Sequence, residues 1–510
     1  MKIGFLEEPL LEFGYEQWLD YPRDGLFLFG PVKDGPRVDV VRYGVIGTAE
    51  GVRHFRKWSS KIQGYIEPPV GRDEAVAAYN VPFPGFEQAF RARWPKEPHC
   101  TLAAISNDQL TLALHIANRH EAVKSAVDLY VREIIAEHDR NESPPDFWFV
   151  VVPEKLYRLG RAQSFVPLGE RVQGKVFITE KRARRLEREP TLFGVEEDEA
   201  VVYKYSKDFR RQLKARLLDH RIVTQLVRET TLNPEAFVSE KGFPLRRIED
   251  PATIAWKLGT AAYYKAGGRP WQLADVRPGV CYVGLVYKRV EHAVSPGWAC
   301  CAAQMFLSNG EGVVFRGALG PWYSPDKKQF HLSKEAAQTL LETVVSEYRR
   351  LHEGRYPSEL FIHARARFQE NEWSGFKAAC PAETNLVGIQ IKSAGEAIKL
   401  FRSGNYPVVR GTMLKIRHNA AYLWTTGYVP RLDSYLGPET PNPILVTVWE
   451  GECPLDIVLH DILGLTKINF NSCLFNERLP VTIRFADAVG DVLVSAPIEG
   501  NPVLPFKFYI

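Results

Sequence analysis

The alternation of strand-like and helix-like segments constrains the fold of this chain most strongly. Val38–Gly47 (VDVVRYGVIG) predicts a strand, and the helical pattern VRHFRKW follows it after a short glycine-containing turn. Phe147–Pro153 (FWFVVVP) predicts a buried strand, Val280–Arg289 predicts a strand that opens a second sheet, and Ser333–Tyr348 predicts a long helix. Such alternation is typical of proteins in which helices pack on the faces of sheets. We therefore predict an α/β fold.

Composition narrows the class of protein without identifying a function. The chain has 510 residues, enough for several domains, and a formal net charge of only +4. A charge this small does not indicate nucleic-acid binding, so any basic surface must come from local clustering. The seven cysteines form no CxxC pair, which favours reduced thiols and argues against structural zinc. We find no signal-peptide pattern and no apolar run long enough for a membrane span, and expect a cytoplasmic protein with no membrane contact.

Two basic segments suggest a phosphate site. Arg210 and Lys214 are four residues apart in FRRQLKARLLDHRIVTQ, so on a helix they share one face. Gln225 ends that segment, and Lys265 precedes two glycines in YYKAGGRPW. Three cations and one amide can form the cage of donors that a terminal phosphate requires. The alternative is that Arg210 and Lys214 lie on an ordinary solvated helix face.

A wider set of segments follows a recognisable order between Tyr21 and Ala486. They are YPRDGLFLFGP, YGVIGTAEG, FRRQLKARLLDHRIVTQ, YYKAGGRPW, VCYVGLVYKR, GPWYSP, FIHARARF, LTKINFNS and PVTIRFA. In this order the chain resembles short prokaryotic Argonautes, which consist of MID and PIWI domains only. The resemblance implies a Rossmann-like MID domain over residues 1–270, including an N-terminal linker-like segment, and an RNase H-like PIWI domain over residues 271–510. We place the junction near Gly268–Val276.

The resemblance also assigns roles to the basic residues. It implies that Arg210, Lys214, Gln225 and Lys265 hold the 5′ phosphate of a guide strand. In many members the terminal carboxylate reaches the same pocket, so Ile510, with Gln225, is expected to help bind Mg²⁺ there. A frayed chain end is the alternative for Ile510.

The positions that should carry catalytic carboxylates are mostly occupied by other residues. Two-metal cleavage needs several carboxylates around two divalent cations. By resemblance, the first should stand at Val286 and the third at Arg365, in the stretch His363–Ala366, and only Asp487 supplies an acid. We therefore expect no enzymatic activity from this chain. Arg365 could neutralise backbone phosphates of a bound duplex, or equally form an ion pair with a nearby acid.

The resemblance implies a sensor that works with a second protein. No PAZ domain is expected, so an APAZ-domain partner should complete the nucleic-acid groove. YYKAGGRPW and CCAAQMF are most similar to members whose partner carries a TIR domain, in a heterodimer that oligomerises on activation and consumes NAD. The guide is expected to be RNA and the target complementary single-stranded DNA from invading plasmids or phage.

Other functions stay open at this point. The partner could carry a Sir2 or nuclease domain in place of TIR. The chain itself could be a nuclease that uses Asp487 with Glu370 and Glu372. It could also be a small-molecule enzyme that binds phosphate at the GTAEG loop (Gly47–Gly51).

Overall fold

The structure is a computed structural model. It describes residues 1–510 except 34, 69–79, 187–188, 190–194, 276, 290–298, 308–311, 321–322, 325–328, 396, 434, 436–439 and 499–502. The side chains of residues 289–313 and 315–330 also lie outside the description. None of the described helices is long and apolar enough to cross a membrane.

The strands, numbered along the chain, form four sheets within the described residues. They are β1 (Lys2–Phe5), β2 (Leu11–Phe13), β3 (Gln17–Leu19), β4 (Tyr43–Ile46), β5 (Cys100–Leu102), β6 (Phe147–Val152), β7 (Thr224–Arg228), β8 (Gln272–Leu273), β9 (Val280–Arg289), β10 (Ala299–Leu307), β11 (Gly312–Gly320), β12 (Tyr323–Ser324), β13 (Gln329–Phe330), β14 (Glu359–Ala364), β15 (Asn385–Ser393), β16 (Thr412–Arg417), β17 (Ala420–Leu423), β18 (Ile444–Glu450) and β19 (Leu504–Pro505). The largest sheet has the order β1-β16-β17-β18-β15-β14-β9-β10-β11-β19, and a smaller one has the order β5-β4-β6-β7.

Helices connect and cover these sheets. They are α1 (Pro22–Leu28), α2 (Ala49–Lys61), α3 (Phe86–Phe90), α4 (Asn107–His115), α5 (Arg119–Arg140), α6 (Glu154–Leu159), α7 (Glu180–Leu186), α8 (Val195–Ala200), α9 (Phe209–Leu217), α10 (Glu229–Leu232), α11 (Pro251–Lys265), α12 (Lys334–Leu351), α13 (Glu370–Ala379), α14 (Leu455–Leu465) and α15 (Val481–Leu493). The predicted α/β class is confirmed.

The smaller sheet is a parallel sheet buried on both faces. β4 pairs in parallel with β5 and β6, and β6 pairs in parallel with β7. Every residue of β6 is buried, and successive side chains point to opposite faces. Phe149 packs with Phe55 of α2 on one face, whereas Trp148 packs with Tyr130 of α5 on the other. This is the predicted Rossmann-like layer. β4 starts at Tyr43, so the strand predicted from Val38 is shorter at its beginning.

The larger sheet contains the predicted RNase H-like order. β9, β10 and β11 form an antiparallel meander, helix α12 follows, and β14 returns parallel to β9. Ser333 caps α12 as predicted, because its side chain accepts a hydrogen bond from the Ala336 amide. On one face of β9, Val286 packs with Val489 of α15. Helix α15 begins at Val481, so most of the segment PVTIRFA is helical.

The N-terminal segment contacts both halves of the chain. β1 pairs with β16 at the edge of the larger sheet, and β2 pairs with β8 within the predicted junction. Leu11 and Phe13 of β2 also belong to the core cluster that contains Phe149 of the smaller sheet. The segment expected to be linker-like is therefore part of two sheets. The domain boundary near Gly268–Val276 stays a prediction.

Candidate functional site

A cavity of about 490 Å³ lies where α9, β7, the end of α11 and the last residue of the sequence meet. Its lining includes the four residues predicted for a phosphate site, Arg210, Lys214, Gln225 and Lys265, and also Ile510, which was predicted to help bind a metal there. Sequence spacing alone could not show that the two basic segments converge, since Lys214 and Lys265 belong to different helices. The structure brings them together; the role of each residue in binding stays a prediction.

The two lysines share the same acceptors at the bottom of the cavity. The Lys214 Nζ donates to the Thr224 carbonyl oxygen at 3.0 Å and to the main-chain oxygen of Ile510 at 2.8 Å. The Lys265 Nζ donates to the same two oxygens at 2.9 and 2.7 Å, and to the Gln225 Oε1 at 2.6 Å. Both lysines are buried, and this shared network fixes the positions of their ammonium groups.

The cavity lining contains six cationic side chains and one side-chain carboxylate, that of Asp208. Burial lowers the pKa of Lys214 well below its ordinary value, and the nearby Arg210 lowers it further. Burial likewise lowers the pKa of Lys265, with Lys214 and Arg210 adding to the effect. Among the described residues, no side-chain carboxylate forms an ion pair with either lysine. An anion that entered the cavity would therefore stabilise the charged form of both side chains.

The cavity is also lined by cations that sequence analysis did not predict. Arg161 and Arg228 both belong to the lining, and their guanidinium groups lie 3.7 and 4.0 Å from the centre of the Tyr157 ring. Arg210 is exposed at the same cavity and forms no ion pair within the described part of the chain. Arg161 and Arg228 are far apart in sequence, so no local spacing signals that they share a site.

An asparagine from the C-terminal half also reaches this cavity. Asn471 belongs to the lining, and its Oδ1 is buried without a hydrogen-bond partner among the described residues. It lies in LTKINFNS, a segment that carried the family resemblance without an assigned role. The cavity is thus built from both halves of the sequence.

The geometry does not fit the predicted magnesium ion. The main-chain oxygen of Ile510 and the Gln225 Oε1, which were expected to be ligands, already accept hydrogen bonds from lysine. Mg²⁺ binds through oxygen ligands and would meet two buried ammonium groups at the same atoms. We derive no step through a metal at this site.

The GTAEG loop is a poor phosphate site because a carboxylate occupies it. Thr48 caps α2 by accepting a hydrogen bond from the Gly51 amide at 3.0 Å, and its hydroxyl donates to the Glu229 Oε1 at 3.2 Å. Burial raises the pKa of Glu229 above its ordinary value. A carboxyl group thus lies at the helix N-terminus where a ligand phosphate would bind, which argues against the small-molecule alternative.

The three degenerate catalytic positions lie close together where β14 ends, at the edge of the larger sheet that is formed by strand ends. Val286 is buried in β9, Arg365 follows β14, and Asp487 lies on α15. Arg365 forms an ion pair with Asp487, and the Lys288 Nζ lies 3.3 Å from the other oxygen of the same carboxylate. Of the two interpretations of Arg365, this geometry favours the ion pair. Lys288 was not predicted to belong to this site.

A series of ion pairs joins the degenerate catalytic positions to helix α9, which carries Lys214. Lys288 also contacts Asp491 on α15 at 2.9 Å. Asp491 in turn contacts Arg211 on α9 at 2.8 Å, and Arg211 lines the cavity that contains Lys214. Charges of alternating sign therefore connect the two candidate sites.

The two glutamates proposed for an unconventional nuclease do not form a metal site with Asp487 in the described structure. Glu372 is buried and accepts hydrogen bonds from the Leu332 amide at 3.1 Å, the Gln369 amide at 3.4 Å and the Tyr287 hydroxyl. Glu370 is exposed at the start of α13. In the described part of the chain, no group of three His, Cys, Asp or Glu residues could hold a metal ion.

His363, next to the degenerate positions, has a structural environment. Its Nδ1 lies 2.9 Å from the Thr482 hydroxyl oxygen. Burial lowers the pKa of His363 to about 3, so the imidazole is neutral at physiological pH. His363 is therefore a buried core residue of β14.

No protein-family model matches the chain. A search of curated proteins also returns no match. Among solved structures, Clostridium butyricum Argonaute bound to a guide DNA and a 19-mer target DNA is similar over 100% of this chain and 55% of its own, with a TM-score of 0.60 and 16% identity. A. aeolicus Argonaute matches 98% of this chain and 54% of its own, with a TM-score of 0.55 and 13% identity. The chain thus spans about half the length of these proteins. The likeness shows an Argonaute-like fold.

Proposed function

We propose that this chain is a guide-loaded nucleic-acid sensor of the short prokaryotic Argonaute class. One observation carries the proposal: Lys214 and Lys265, both buried and unpaired by side-chain carboxylates among the described residues, converge with Gln225 in one cavity of an Argonaute-like fold. The ligand that suits this cavity is a terminal phosphate, which carries close to two negative charges and several acceptor oxygens. The exposed Arg210 at the same cavity adds a guanidinium able to bind phosphate through two bonds.

The test compares guides with and without the phosphate. Changing Lys214→Ala and Gln225→Ala together should weaken binding of a 5′-phosphorylated guide at least about tenfold, since a charge-assisted hydrogen bond contributes about 1.5–3 kcal/mol. Binding of the 5′-hydroxyl guide should change little. Lys257→Ala is the matched control, because Lys257 lies on α11 like Lys265 but pairs with Glu249 outside the cavity. Equal losses for both guides would refute the phosphate site.

The proposed sensor binds a guide RNA and a complementary single-stranded DNA target, and serves in defence against plasmids or phage. The support is the resemblance of the ordered motifs, together with a fold shared with an Argonaute solved on guide and target DNA. Titration of RNA and DNA guides of the same sequence, followed by RNA and DNA targets, tests this assignment. Preference for a DNA guide would correct the guide chemistry and leave the phosphate site intact.

We also propose that the chain does not cut its target. The support is the side chains at the expected catalytic positions: Val286 is apolar, Arg365 is a cation, and Asp487 is already paired with Arg365 and Lys288. A guide-paired target should remain intact after long incubation with Mg²⁺ or Mn²⁺. Cleavage at one defined position between paired bases would establish the alternative, a PIWI-type nuclease.

The proposed output comes from an APAZ-domain partner with a TIR effector that consumes NAD. The support is the similarity of YYKAGGRPW and CCAAQMF to the members whose partner carries a TIR domain. Co-purification with an APAZ–TIR protein, then NAD consumption with and without complementary target, is the test. A partner that cleaves DNA and leaves NAD untouched would replace the effector and keep the sensor. A chain that binds guide and target fully without any partner would contradict the heterodimer.

A further inference from the structure

A second groove lies on the larger sheet, away from the phosphate cavity. Its volume is about 1090 Å³, and residues from β15, β18, α13 and the loop before α13 line it. The lining that matters here comprises Arg367, Trp373, Lys377, Gln390, Lys392 and Trp449. We propose that this groove, the Trp449 groove, binds an unpaired single-stranded stretch of nucleic acid.

The groove contains a fixed aromatic and guanidinium stack. The Arg367 guanidinium lies 4.0 Å from the centre of the half-buried Trp449 ring, and Arg367 itself is exposed. The Trp449 Nε1 donates to the Gln390 Oε1 at 2.9 Å, which fixes the indole. Arginine planes and aromatic rings are the surfaces on which unpaired bases stack.

The three cations of the groove are not neutralised by ion pairs within the described part of the chain. Arg367, Lys377 and Lys392 are exposed, and none of them forms an ion pair within the described residues. Glu370 and Glu450 also line the groove, which leaves one positive charge in excess. The three exposed cations are therefore available to contact phosphates.

A buried donor gives a second indication of a ligand. Trp373 lines the groove and is 4% exposed, and its Nε1 has no hydrogen-bond partner among the described residues. An unsatisfied buried donor calls for an acceptor such as water or a ligand oxygen. Phosphate and base oxygens are acceptors that this donor could use.

The groove begins at the edge that holds the degenerate catalytic positions. The Gln390 Nε2 donates to the Arg365 main-chain oxygen at 2.9 Å, so the residue that fixes Trp449 also touches that edge. A strand that passes Arg365 would continue into the groove as it leaves the duplex. This last step, which strand enters, rests on the proposed function; binding of single-stranded nucleic acid does not.

The test uses oligonucleotides that cannot use the phosphate cavity. A 5′-hydroxyl single-stranded oligonucleotide with 5-iodouracil is titrated by fluorescence anisotropy at low salt and then photo-crosslinked. We expect Arg367→Ala with Lys377→Ala to weaken its binding about tenfold, and the cross-link to map to Trp449. Arg402→Ala is the matched control, because Arg402 lies over Tyr428 at 4.7 Å in a similar stack outside the groove.

A second arm uses a guide-paired target with or without a single-stranded extension. The extension should raise affinity in the wild type and not in the double variant. Unchanged binding of the 5′-hydroxyl oligonucleotide in the double variant would overturn the proposal. So would a poly-glutamate peptide that binds the groove while the oligonucleotide does not. If the protein does not bind a guide, but Arg367→Ala with Lys377→Ala still weakens binding of the 5′-hydroxyl oligonucleotide as expected, the proposed function is refuted and the groove proposal stands.

Discussion

At the residue scale, the two cavity lysines carry an energetic cost that the rest of the protein must offset. Lys214 and Lys265 are 3% and 1% exposed, and burial lowers the pKa of both. Neither lysine pairs with a side-chain carboxylate among the described residues, and a buried cation of this kind is unfavourable for folding because its charged form loses hydration. Proteins retain such an unfavourable contribution to folding where an anionic ligand later supplies the missing negative charge. For this physical reason we interpret the two lysines as part of a binding site.

We predict that Lys214→Met separates stability from binding. Methionine has a similar length and no charge to desolvate, and Lys265 still donates to the Thr224 and Ile510 oxygens. The thermal midpoint of the ligand-free protein should stay level or rise by about 2–4 °C. Affinity for a 5′-phosphorylated guide should fall at least about tenfold. Thermal unfolding and guide titration measure the two effects, and a large loss of stability would show that Lys214 is needed for folding.

The lowered lysine pKa values predict how phosphate recognition depends on pH. Below the lowered pKa of the free protein, both lysines are charged and the phosphate binds fully. Above that pKa they must take up protons on binding, so the advantage of the 5′ phosphate should shrink as pH rises. The measurement is the ratio of dissociation constants for 5′-hydroxyl and 5′-phosphate guides from about pH 7 to about pH 9.5. Lys214→Arg, which stays charged, should flatten the dependence. A ratio constant over this range in the wild type would contradict the prediction.

Part of this site could be predicted from sequence, and the limit is physical. Arg210 and Lys214 are within one helical turn of each other, so their shared face follows from helix geometry. Arg161, Lys288 and Asn471 reach their sites only through tertiary packing, which no local spacing encodes. The predicted ligands for magnesium had the right position, but sequence could not show that lysine side chains occupy the same oxygens.

At the scale of elements, helix α9 connects the cavity to the rest of the molecule. Asp208 caps its N-terminus by accepting a hydrogen bond from the Arg211 amide at 3.0 Å. The helix then presents Lys214 to the cavity, and Arg211 pairs with Asp491 of α15. Its short length makes the cap important, because a nine-residue helix has little intrinsic stability.

We predict opposite effects from two changes at Asp208. Asp208→Ala removes the cap and should lower the free energy of unfolding by about 0.5–2 kcal/mol, with weaker guide binding. Asp208→Asn keeps a capping oxygen but removes a negative charge from the cavity lining, so 5′-phosphate guides should bind as tightly or more tightly. Denaturant unfolding and guide titration test both variants. Equal behaviour of the two would show that the cap is unimportant.

At the scale of the whole molecule, the N-terminal segment joins distant parts of the chain through one carboxylate. Glu8 pairs with Arg410 at 2.8 Å and with Lys467 at 2.7 Å, and both cations are buried. Burial raises the pKa of Glu8, but these two cations outweigh that effect and lower it overall. With β1 and β2 in two different sheets, this cluster fastens the first residues to the C-terminal half.

We predict that Glu8→Gln destabilises the whole fold. It leaves two buried cations without a carboxylate, which costs about 3–5 kcal/mol. Glu7→Gln, at the exposed neighbouring residue, is the control and should have little effect. Because the folded-state pKa of Glu8 is lowered, its stabilisation is present above the ordinary glutamate pKa and is lost as pH falls through the folded value. Unfolding curves at neutral and acidic pH measure this; a variant as stable as the Glu7→Gln control would contradict the prediction.

The paired charges around Asp487 also bear on whether evolution could reverse the changes at this edge. Val286 and Lys288 both lie over Gly490, so an acid introduced at residue 286 would first meet the Lys288 ammonium. An acid introduced at residue 365 would free Asp487 from one cation and leave it with the other. The first change yields a new ion pair and the second loses one, and neither alone assembles a metal site, so selection for cutting would find no benefit in the intermediate. A lineage that reaches this arrangement must therefore change several residues at once to regain a catalytic metal site.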